Sequence, residues 1–136
     1  MEHLPLRLKN QPIYNLLLPG SHASSAFQLL REPRFNDPEV NKYARLAKHP
    51  ALREFLENWI LSQEMDFYQQ LKLGIRKFDL IVDYDKDKGE FYFVRGMANL
   101  ELTQGLEQFK RYLSRHPGEV LFLSIRYQQL LPLTVS

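Results

Sequence analysis

We predict from the sequence an α/β protein with a largely parallel sheet. Short apolar runs, typical of buried strands, alternate with segments in which apolar residues recur at helical spacing. The 136 residues fit one domain, and 44% hydrophobic with 25% charged residues is a globular composition. The alternation of strands and helices therefore decides the predicted class.

The first part of the chain predicts a strand and a helix. Residues 13–18 are an apolar run closed by Pro19 and Gly20, which is typical of a buried strand that ends in a turn. Apolar residues recur at helical spacing between residues 40 and 47. The helix predicted there ends before Pro50, because proline restricts the residue that precedes it.

Two further helices are predicted between Pro50 and Gly74. The first has Pro50 in its first turn and carries an apolar stripe, which we expect to pack in the core. The stripe consists of Leu52, Phe55, Leu56, Trp59 and Ile60. A role of Trp59 at a membrane surface is the less favoured alternative. Ser62 is the predicted N-cap of the second helix, and Gly74 is its predicted left-handed end.

Residues 75–84 and 91–94 predict two strands, because they are rich in β-branched and aromatic residues. The connection at residues 85–89 is too short for a helical crossover between parallel strands, so this pair is predicted to be hairpin-like. The aromatic residues 91–93 are expected in the core.

A last helix and a last strand complete the predicted pattern. The helix has Thr103 as its predicted N-cap and ends at residues 116–118. Its apolar residues at helical spacing are Leu106, Phe109 and Leu113. Residues 120–125 then predict a buried strand.

Composition excludes several kinds of site. The formal net charge is +2 and no long block of like charge occurs, so a nucleic-acid partner is not indicated. The chain has no cysteine, which removes disulfides and thiolate chemistry. No apolar run approaches the ~20 residues of a membrane span. We expect a cytoplasmic protein with peripheral membrane contact as an option.

Four stretches carry a resemblance to a known family. They are LLLPGSHASS, NWILSQEMDFYQQLKLGIRKFDL, FYFVRG and FKRYLSRHPGEVLFLSIR. In this order they resemble the X region of the phosphatidylinositol-specific phospholipase C superfamily. The resemblance covers most of residues 16–126 and rests on the combination of these stretches rather than on any one of them.

The resemblance implies a TIM-type βα barrel, of which residues 1–136 would be a single truncated domain, the amino-terminal half. Catalytic groups of such barrels lie at the carboxyl ends of the strands. In the family, the histidine of the PGSH turn is the general base that takes the proton of the inositol 2-hydroxyl, which then attacks phosphorus. His22 matches this histidine.

Two catalytic positions depart from the family pattern. Arg95 stands where relatives have a second histidine, which protonates the departing diacylglycerol oxygen, and arginine does not release its proton at ordinary pH. Ala23 replaces the aspartate or asparagine that supports this histidine or binds calcium in relatives. The resemblance therefore implies that the general acid and its support are both missing.

Three further positions concern the substrate phosphate. Asp79 matches an acidic family position, but Ile81 replaces the phosphate-binding arginine or calcium-ligating carboxylate of relatives. Arg126 has the sign expected of calcium-independent members, and Arg95 and Arg126 together offer two guanidinium groups that can bind phosphate.

We expect no cofactor and no calcium site. Asp79 alone falls far short of the six to eight oxygens that calcium prefers. Asp83, Asp85 and Asp87 alternate like the start of a calcium loop, but Lys88 replaces its required glycine, so a polar turn is predicted there.

The resemblance also implies partners. The ligand would be the headgroup of a phosphoinositide or another anionic phospholipid. The missing half of the family barrel normally supplies the aspartate that orients the base histidine. Open sheet edges predict self-association or a partner that completes the barrel.

We interpret the sequence as a phospholipase C X-like domain of the phosphoric diester hydrolase family, with absent or very weak turnover. One alternative is a non-catalytic module for inositol phosphates or anionic lipids, or a truncated remnant. Another is a calcium-independent phosphodiesterase with His22 as base. A purely structural interpretation also exists: His22 as a turn residue, and Arg76 and Asp79 as strand-end charges paired with neighbours.

Overall fold

The computed structural model describes residues 4–30 and 49–128. Its helices are α1 (Leu6–Lys9), a 3₁₀ turn (Ile13–Asn15), α2 (Pro50–Ile60), α3 (Phe67–Lys72) and α4 (Leu102–Arg115). Its strands are β1 (Gly20–Ser21), β2 (Lys77–Asp85), β3 (Glu90–Arg95), β4 (Met97–Glu101) and β5 (Phe122–Tyr127). The helix predicted at residues 40–47 lies outside the described residues.

β2 is the central strand of a curled, half-barrel sheet. Lys77 opposes Gly20 in β1 and Phe122 in β5, so these two parallel strands lie on opposite edges of β2. Val82 pairs with both β3 and β5, which puts the antiparallel β3 on the same edge as β1. The α/β class is confirmed, but the sheet is mixed rather than largely parallel, because the predicted hairpin β2–β3 continues into the antiparallel β4.

The main core lies between one face of this sheet and helices α3 and α4. Phe67 of α3 stacks on Phe109 of α4 at 4.6 Å and meets Phe78 and Phe93 edge to face. Gly105 permits this approach, because a Cβ there would lie 2.3 Å from Cε2 of Phe93. The buried members of the cluster are Phe67, Leu71, Phe78, Leu80, Val82, Phe93, Leu100, Phe109 and Tyr112.

Arg76 joins α3, α4 and the approach to β5 from a buried position. Its guanidinium contacts Glu119 at 2.6 Å, the Tyr112 hydroxyl at 2.8 Å and the Leu71 carbonyl at 2.8 Å. Burial alone would lower the pKa of Arg76, but the hydrogen bond to Glu119 and its charge raise it, so the net shift is upward. This supports the structural interpretation of Arg76.

The predicted buried strand at residues 13–18 is wrong. Leu17 is 99% exposed, and only the following Gly20–Ser21 pairs with β2. β2 begins at Lys77, opposite Gly20, so no described strand lies opposite residues 13–18. Directly before β1, the Pro19 carbonyl accepts hydrogen bonds from the backbone N–H groups of Arg76 and Lys77.

Two predicted helix starts are wrong, while one predicted helix end is confirmed. The N-cap of α3 is Asp66, whose carboxylate accepts the Gln69 N–H at 2.7 Å in a capping box, and not Ser62. α4 begins directly after β4, with Glu101 rather than Thr103 at its N-cap. Gly74 follows α3 with φ 96°, the left-handed conformation predicted for it.

Helix α2 is confirmed, but its predicted packing is wrong. Phe55 and Trp59 are each 67% exposed, and only Ile60 of the stripe is known to be buried, against Met97. Trp59 is therefore not a core residue. No helix in the described ranges is long and apolar enough to cross a membrane.

Several strand details also differ from the prediction. β4 was not predicted. Phe91 is exposed, although Tyr92 and Phe93 are buried as expected. β5 is not a buried strand: Ile125 is 52% and Tyr127 is 61% exposed, because no described strand or helix covers the far side of β5. The polar turn is as predicted, with Asp85 Oδ1 accepting two backbone N–H groups from residues 87 and 88.

Candidate active site

His22 lies directly after β1, at the carboxyl end of this strand. Ser21 opposes Phe78 in the parallel ladder, so His22 is level with the next residue of β2, Asp79. Ala23 then turns the chain with a left-handed backbone, φ 49°. The His22 side chain is 72% exposed and thus accessible to a ligand.

Asp79 holds the His22 ring from β2. Nδ1 of His22 lies 2.7 Å from Oδ2 of Asp79. An ionised carboxylate only accepts hydrogen bonds, so Nδ1 carries the proton in this contact. When the imidazole is neutral, Nε2 is left with its lone pair available, which is the state that a general base requires. The family resemblance implies an orienting carboxylate from the second half of the barrel, whereas in this structure Asp79 makes the contact.

Arg126 of β5 contacts the same carboxylate. Its NH2 group lies 3.2 and 3.3 Å from the two oxygens of Asp79. The ladder pairs Arg126 with Ile81, two residues beyond Asp79 and therefore on the same face of the sheet. Three of the four predicted site residues, His22, Asp79 and Arg126, are thus brought together from three parallel strands.

Arg95 is not joined to this cluster. It ends β3, which runs antiparallel to β2, and it is exposed. Within residues 4–30 and 49–128, no hydrogen bond or ion pair connects Arg95 with His22, Asp79 or Arg126. Its predicted part in phosphate binding stays a prediction.

Ile81 is a packed side chain rather than an open position in the site. It is partly buried and packs against the cluster of Tyr92, Val94 and Ala98. A side chain without donor, acceptor or charge therefore occupies the position next to Asp79 on this face.

A buried network of hydrogen-bonded polar side chains lies beneath the His22 turn. It was not predicted from the sequence. Ser24, fully buried, is hydrogen bonded to the backbone of Asp79 in both directions, each at 3.0 Å. Gln70 of α3, 3% exposed, donates to the carbonyls of Ser24 and Met65 and accepts from the Ser21 hydroxyl. The glutamines of the SQEMDFYQQ stretch were the available signal, but only the fold shows which one points inward.

A second glutamine holds the turn from the other side. Gln63, which follows α2, donates its side-chain N–H to the His22 carbonyl at 2.8 Å. The backbone N–H groups of Ser62 and Gln63 both bond to the Ala26 carbonyl at 3.0 Å. The end of α2 is thereby fixed beside the site.

The Asp79 carboxylate already has two partners. Both oxygens of Asp79 are engaged, one with His22 and both with the Arg126 cation. The described ranges contain no group of three or more His, Cys, Asp or Glu side chains arranged to hold a metal ion. Calcium prefers six to eight oxygens, and an adjacent guanidinium opposes a second positive charge.

Comparison with known proteins tests the resemblance. No model of a known protein family matches the chain. PI-PLC X domain-containing protein 2 of Mus musculus is 32% identical over 130 residues, 93% of this chain and 38% of the relative. PI-PLC X domain-containing protein 3 of Danio rerio is 33% identical over 137 residues, 93% of this chain and 41% of the relative.

Solved structures agree with these relatives. A phosphatidylinositol-specific phospholipase C of Staphylococcus aureus, from work on the modulation of its membrane binding, aligns with a TM-score of 0.55 and 28% identity. The alignment covers 82% of this chain and 30% of that enzyme. The chain belongs to the phosphatidylinositol-specific phospholipase C X-domain superfamily. A mutant of the same S. aureus enzyme aligns with a TM-score of 0.57 and 26% identity, over 88% of this X-domain chain and 32% of the enzyme.

The chain spans less than half the length of the two X-domain relatives named above, 38% of the first and 41% of the second. The half-barrel sheet accordingly corresponds to part of the phospholipase C barrel. The predicted family and fold class are confirmed.

Proposed function

We propose that this X-type domain binds the phosphorylated inositol headgroup of an anionic lipid and that its own turnover is absent or very weak. One observation carries the proposal: the base side of the site is assembled, with His22 held by Asp79 at 2.7 Å, while the acid-side residue, Arg95, makes no described contact with it. Relatives named for phosphatidylinositol-specific phospholipase C support the ligand class.

Arg126 is the proposed phosphate ligand. Its side chain is 59% exposed and lies on the same face of the sheet as Asp79. The two contacts to Asp79, at 3.2 and 3.3 Å, use only NH2 and are longer than most charge-assisted hydrogen bonds. The remaining donors of the guanidinium fork are therefore available for a phosphate oxygen.

The chemistry explains why turnover should be weak. After attack on phosphorus, the departing diacylglycerol oxygen needs a proton, and arginine does not give one up at ordinary pH. General acid–base catalysis contributes about 10²- to 10⁴-fold to such reactions. A site with a base but without an acid should lose a factor of this order.

A second function is favoured by the same geometry. Because Asp79 occupies Nδ1 of His22, Nε2 is free to accept the inositol hydroxyl proton, with water as the acid and arginine stabilising the phosphorane charge. The chain would then be a calcium-independent phosphodiesterase. Its activity would depend on both His22 and Arg126.

One experiment separates these functions. Release of water-soluble inositol phosphate from phosphatidylinositol vesicles is measured with and without chelator, beside vesicle binding at low and high salt. We expect binding that weakens with salt and with Arg126→Gln, and no release above the His22→Ala background. Chelator-resistant release that His22→Ala abolishes would establish the phosphodiesterase instead, and folded protein without vesicle binding would refute the proposal.

Peripheral membrane contact is proposed for the exposed face of α2. Leu52, Phe55 and Trp59 are 41%, 67% and 67% exposed, and the end of this helix is bonded to the His22 turn through Gln63. An apolar surface with tryptophan beside a lipid-headgroup site suits the interfacial layer of a bilayer.

Vesicle flotation tests this contact. Trp59→Ala should reduce the bound fraction several-fold, while Leu73→Ala, which removes an equally exposed apolar side chain elsewhere (68%), should leave it unchanged. Equal losses for both variants would argue against a specific role of α2.

A further inference from the structure

Ser24 fixes the His22 turn to Asp79 itself. Its backbone N–H donates to the Asp79 carbonyl, and its Oγ accepts the Asp79 N–H, each at 3.0 Å. The β1 ladder ends one residue earlier, at the pair Ser21 and Phe78. Ser24 thus donates one hydrogen bond to Asp79 and accepts one from it. These two bonds extend the connection between β1 and β2 beyond His22, as far as Asp79, whose carboxylate holds the His22 ring.

Gln70 holds Ser24 from below. Its Nε2 donates to the Ser24 carbonyl at 2.9 Å and to the Met65 carbonyl at 2.8 Å, which uses both N–H groups. Its Oε1 accepts from the Ser21 hydroxyl at 2.8 Å. Because Gln70 lies in α3, its side-chain amide connects this helix with Ser21, directly before His22, and with Ser24, two residues after His22.

The network buries polar side chains at positions where apolar side chains would cost less free energy of desolvation. Ser24 is fully buried and Gln70 is 3% exposed, and burial of polar groups is costly unless every one of them is hydrogen bonded. Here the amide is satisfied on both of its ends. Such networks are directional, so they specify one arrangement of the backbone rather than merely filling space.

We propose that Ser24 and Gln70 are positioning residues that hold His22 and Asp79 at hydrogen-bonding distance. Both side chains are buried, and neither is ionisable. Without the Ser24 hydroxyl, the Asp79 N–H loses its acceptor, and the turn keeps one of its two bonds to Asp79, the one from the Ser24 N–H to the Asp79 carbonyl. The bond from Nδ1 of His22 to the carboxylate is then weakened, and the ring distributes its proton between Nδ1 and Nε2. These residues belong to the site of the proposed function, but the position of the proton on the His22 ring can be measured without turnover and without lipid.

Ring nitrogen spectroscopy tests the proposal. Long-range ¹H–¹⁵N correlation spectra of the folded chain, under mildly alkaline conditions that keep imidazoles neutral, report which ring nitrogen carries the proton. The His22 signals are assigned by their loss in His22→Ala. We expect the Nδ1–H form in the unsubstituted chain and in Ser25→Ala, and a shift toward a mixture of both forms in Ser24→Ala.

Ser25→Ala is the matched control, since it removes a hydroxyl of equal burial one residue along the chain, with no described side-chain bond to Asp79 or Gln70. Asp79→Asn removes the carboxylate and calibrates the shift. If Ser24→Ala does not fold, Gln70→Met, which keeps the volume and removes the amide, should give the same shift. An unchanged His22 signal in a folded Ser24→Ala or Gln70→Met chain, or an equal shift in Ser25→Ala, would overturn the proposal.

Discussion

Ala23 combines an unfavourable backbone with a changed family position. Its φ of 49° is left-handed, which costs an L-residue with a Cβ about 1–2 kcal/mol. Asp and Asn adopt this conformation more readily than alanine, and the family resemblance implies one of these two residues at this position. Alanine at this turn therefore carries a backbone strain that the residue expected from the resemblance would carry to a lesser degree.

Ala23→Gly should raise the free energy of unfolding. Relief of the left-handed strain exceeds the extra entropy of glycine in the unfolded chain, so we expect a net gain of about 0.5–1 kcal/mol. Urea unfolding measures it. Ala98→Gly, at a buried alanine in β4 without this strain, should lower the same quantity. Destabilisation by both substitutions would contradict the strain argument.

Tyr92 should make stability depend on alkaline pH. Its hydroxyl donates to Glu90 Oε2 at 2.6 Å, and this bond, together with burial and the charges of nearby carboxylates, raises the pKa of Tyr92 to about 12. A tyrosine in the unfolded chain titrates near pH ~10, so between these values the unfolded state releases a proton that the folded state keeps. The contribution of Tyr92 to stability is therefore complete below pH ~10 and is lost as the pH rises toward ~12.

Urea unfolding of the chain and of Tyr92→Phe through this pH window checks the dependence. The difference in free energy of unfolding between the two should shrink as the pH rises. Tyr14→Phe, at an exposed tyrosine, is the control for substitution itself. A constant difference would show that Glu90 does not hold the proton on Tyr92.

The sequence indicates candidate site residues but not their contacts. His22, Asp79 and Arg126 are candidates because they match family motifs. Asp79 lies 47 positions from Arg126 and 55 from Ser24, so only the pairing of the strands brings them together. Ser24 and Gln70 were not predicted, because the sequence alone does not distinguish a buried polar residue from an exposed one when its hydrogen-bond partners are unknown. Arg95 was assigned by motif alone.

At the scale of elements, Gly105 decides how closely α4 approaches the sheet. A methyl group there would lie 2.3 Å from Phe93 and 2.9 Å from Phe67. Alanine is ordinarily better than glycine inside a helix by about 1 kcal/mol, but overpacking a core costs about 1–3 kcal/mol. The contact should therefore outweigh the propensity.

Gly105→Ala should lower the free energy of unfolding by about 1–2 kcal/mol. Chemical unfolding measures the loss, and Gln104→Ala, at the neighbouring exposed position, should be near neutral. A stabilised Gly105→Ala chain would show that α4 can move outward at little cost.

Elements with a strong local signal were predictable, and those that depend on partners were not. Pro50 marks the start of α2, Gly74 the end of α3, and the short connection after Asp85 the hairpin. The run at residues 13–18 has the composition of a strand, but no strand in the described part of the chain pairs with it. The α2 stripe has the pattern of a core helix but no described sheet face beneath Phe55 and Trp59.

At the scale of the whole molecule, β5 leaves an open edge. No described strand pairs with its outer side, and Leu123, Ile125 and Tyr127 are 37%, 52% and 61% exposed. An unpaired edge with apolar side chains is a template for association. We propose that the isolated chain associates with a second copy through β5.

Light scattering after size-exclusion chromatography tests this association. The isolated chain should run larger than its monomer mass, and Ile125→Lys should shift it toward monomer, because lysine on an edge strand opposes pairing. Leu106→Lys, at a 40% exposed position on α4, should leave the mass unchanged. A monomeric unsubstituted chain would rule the proposal out.

The two-residue length of β1 has a consequence for the order of folding. Two ladder pairs, the Pro19 carbonyl that precedes them and the bonds of the following turn hold β1 to β2, and they close a loop of about 55 residues, at an entropic cost of about 3–4 kcal/mol. The three antiparallel strands β2, β3 and β4 follow one another with short connections, so they should pair first. β1 should dock late and detach first in sub-global openings of the native state. Any chemistry at His22 is thus governed by how often β1 is docked, and not only by the residues that surround it.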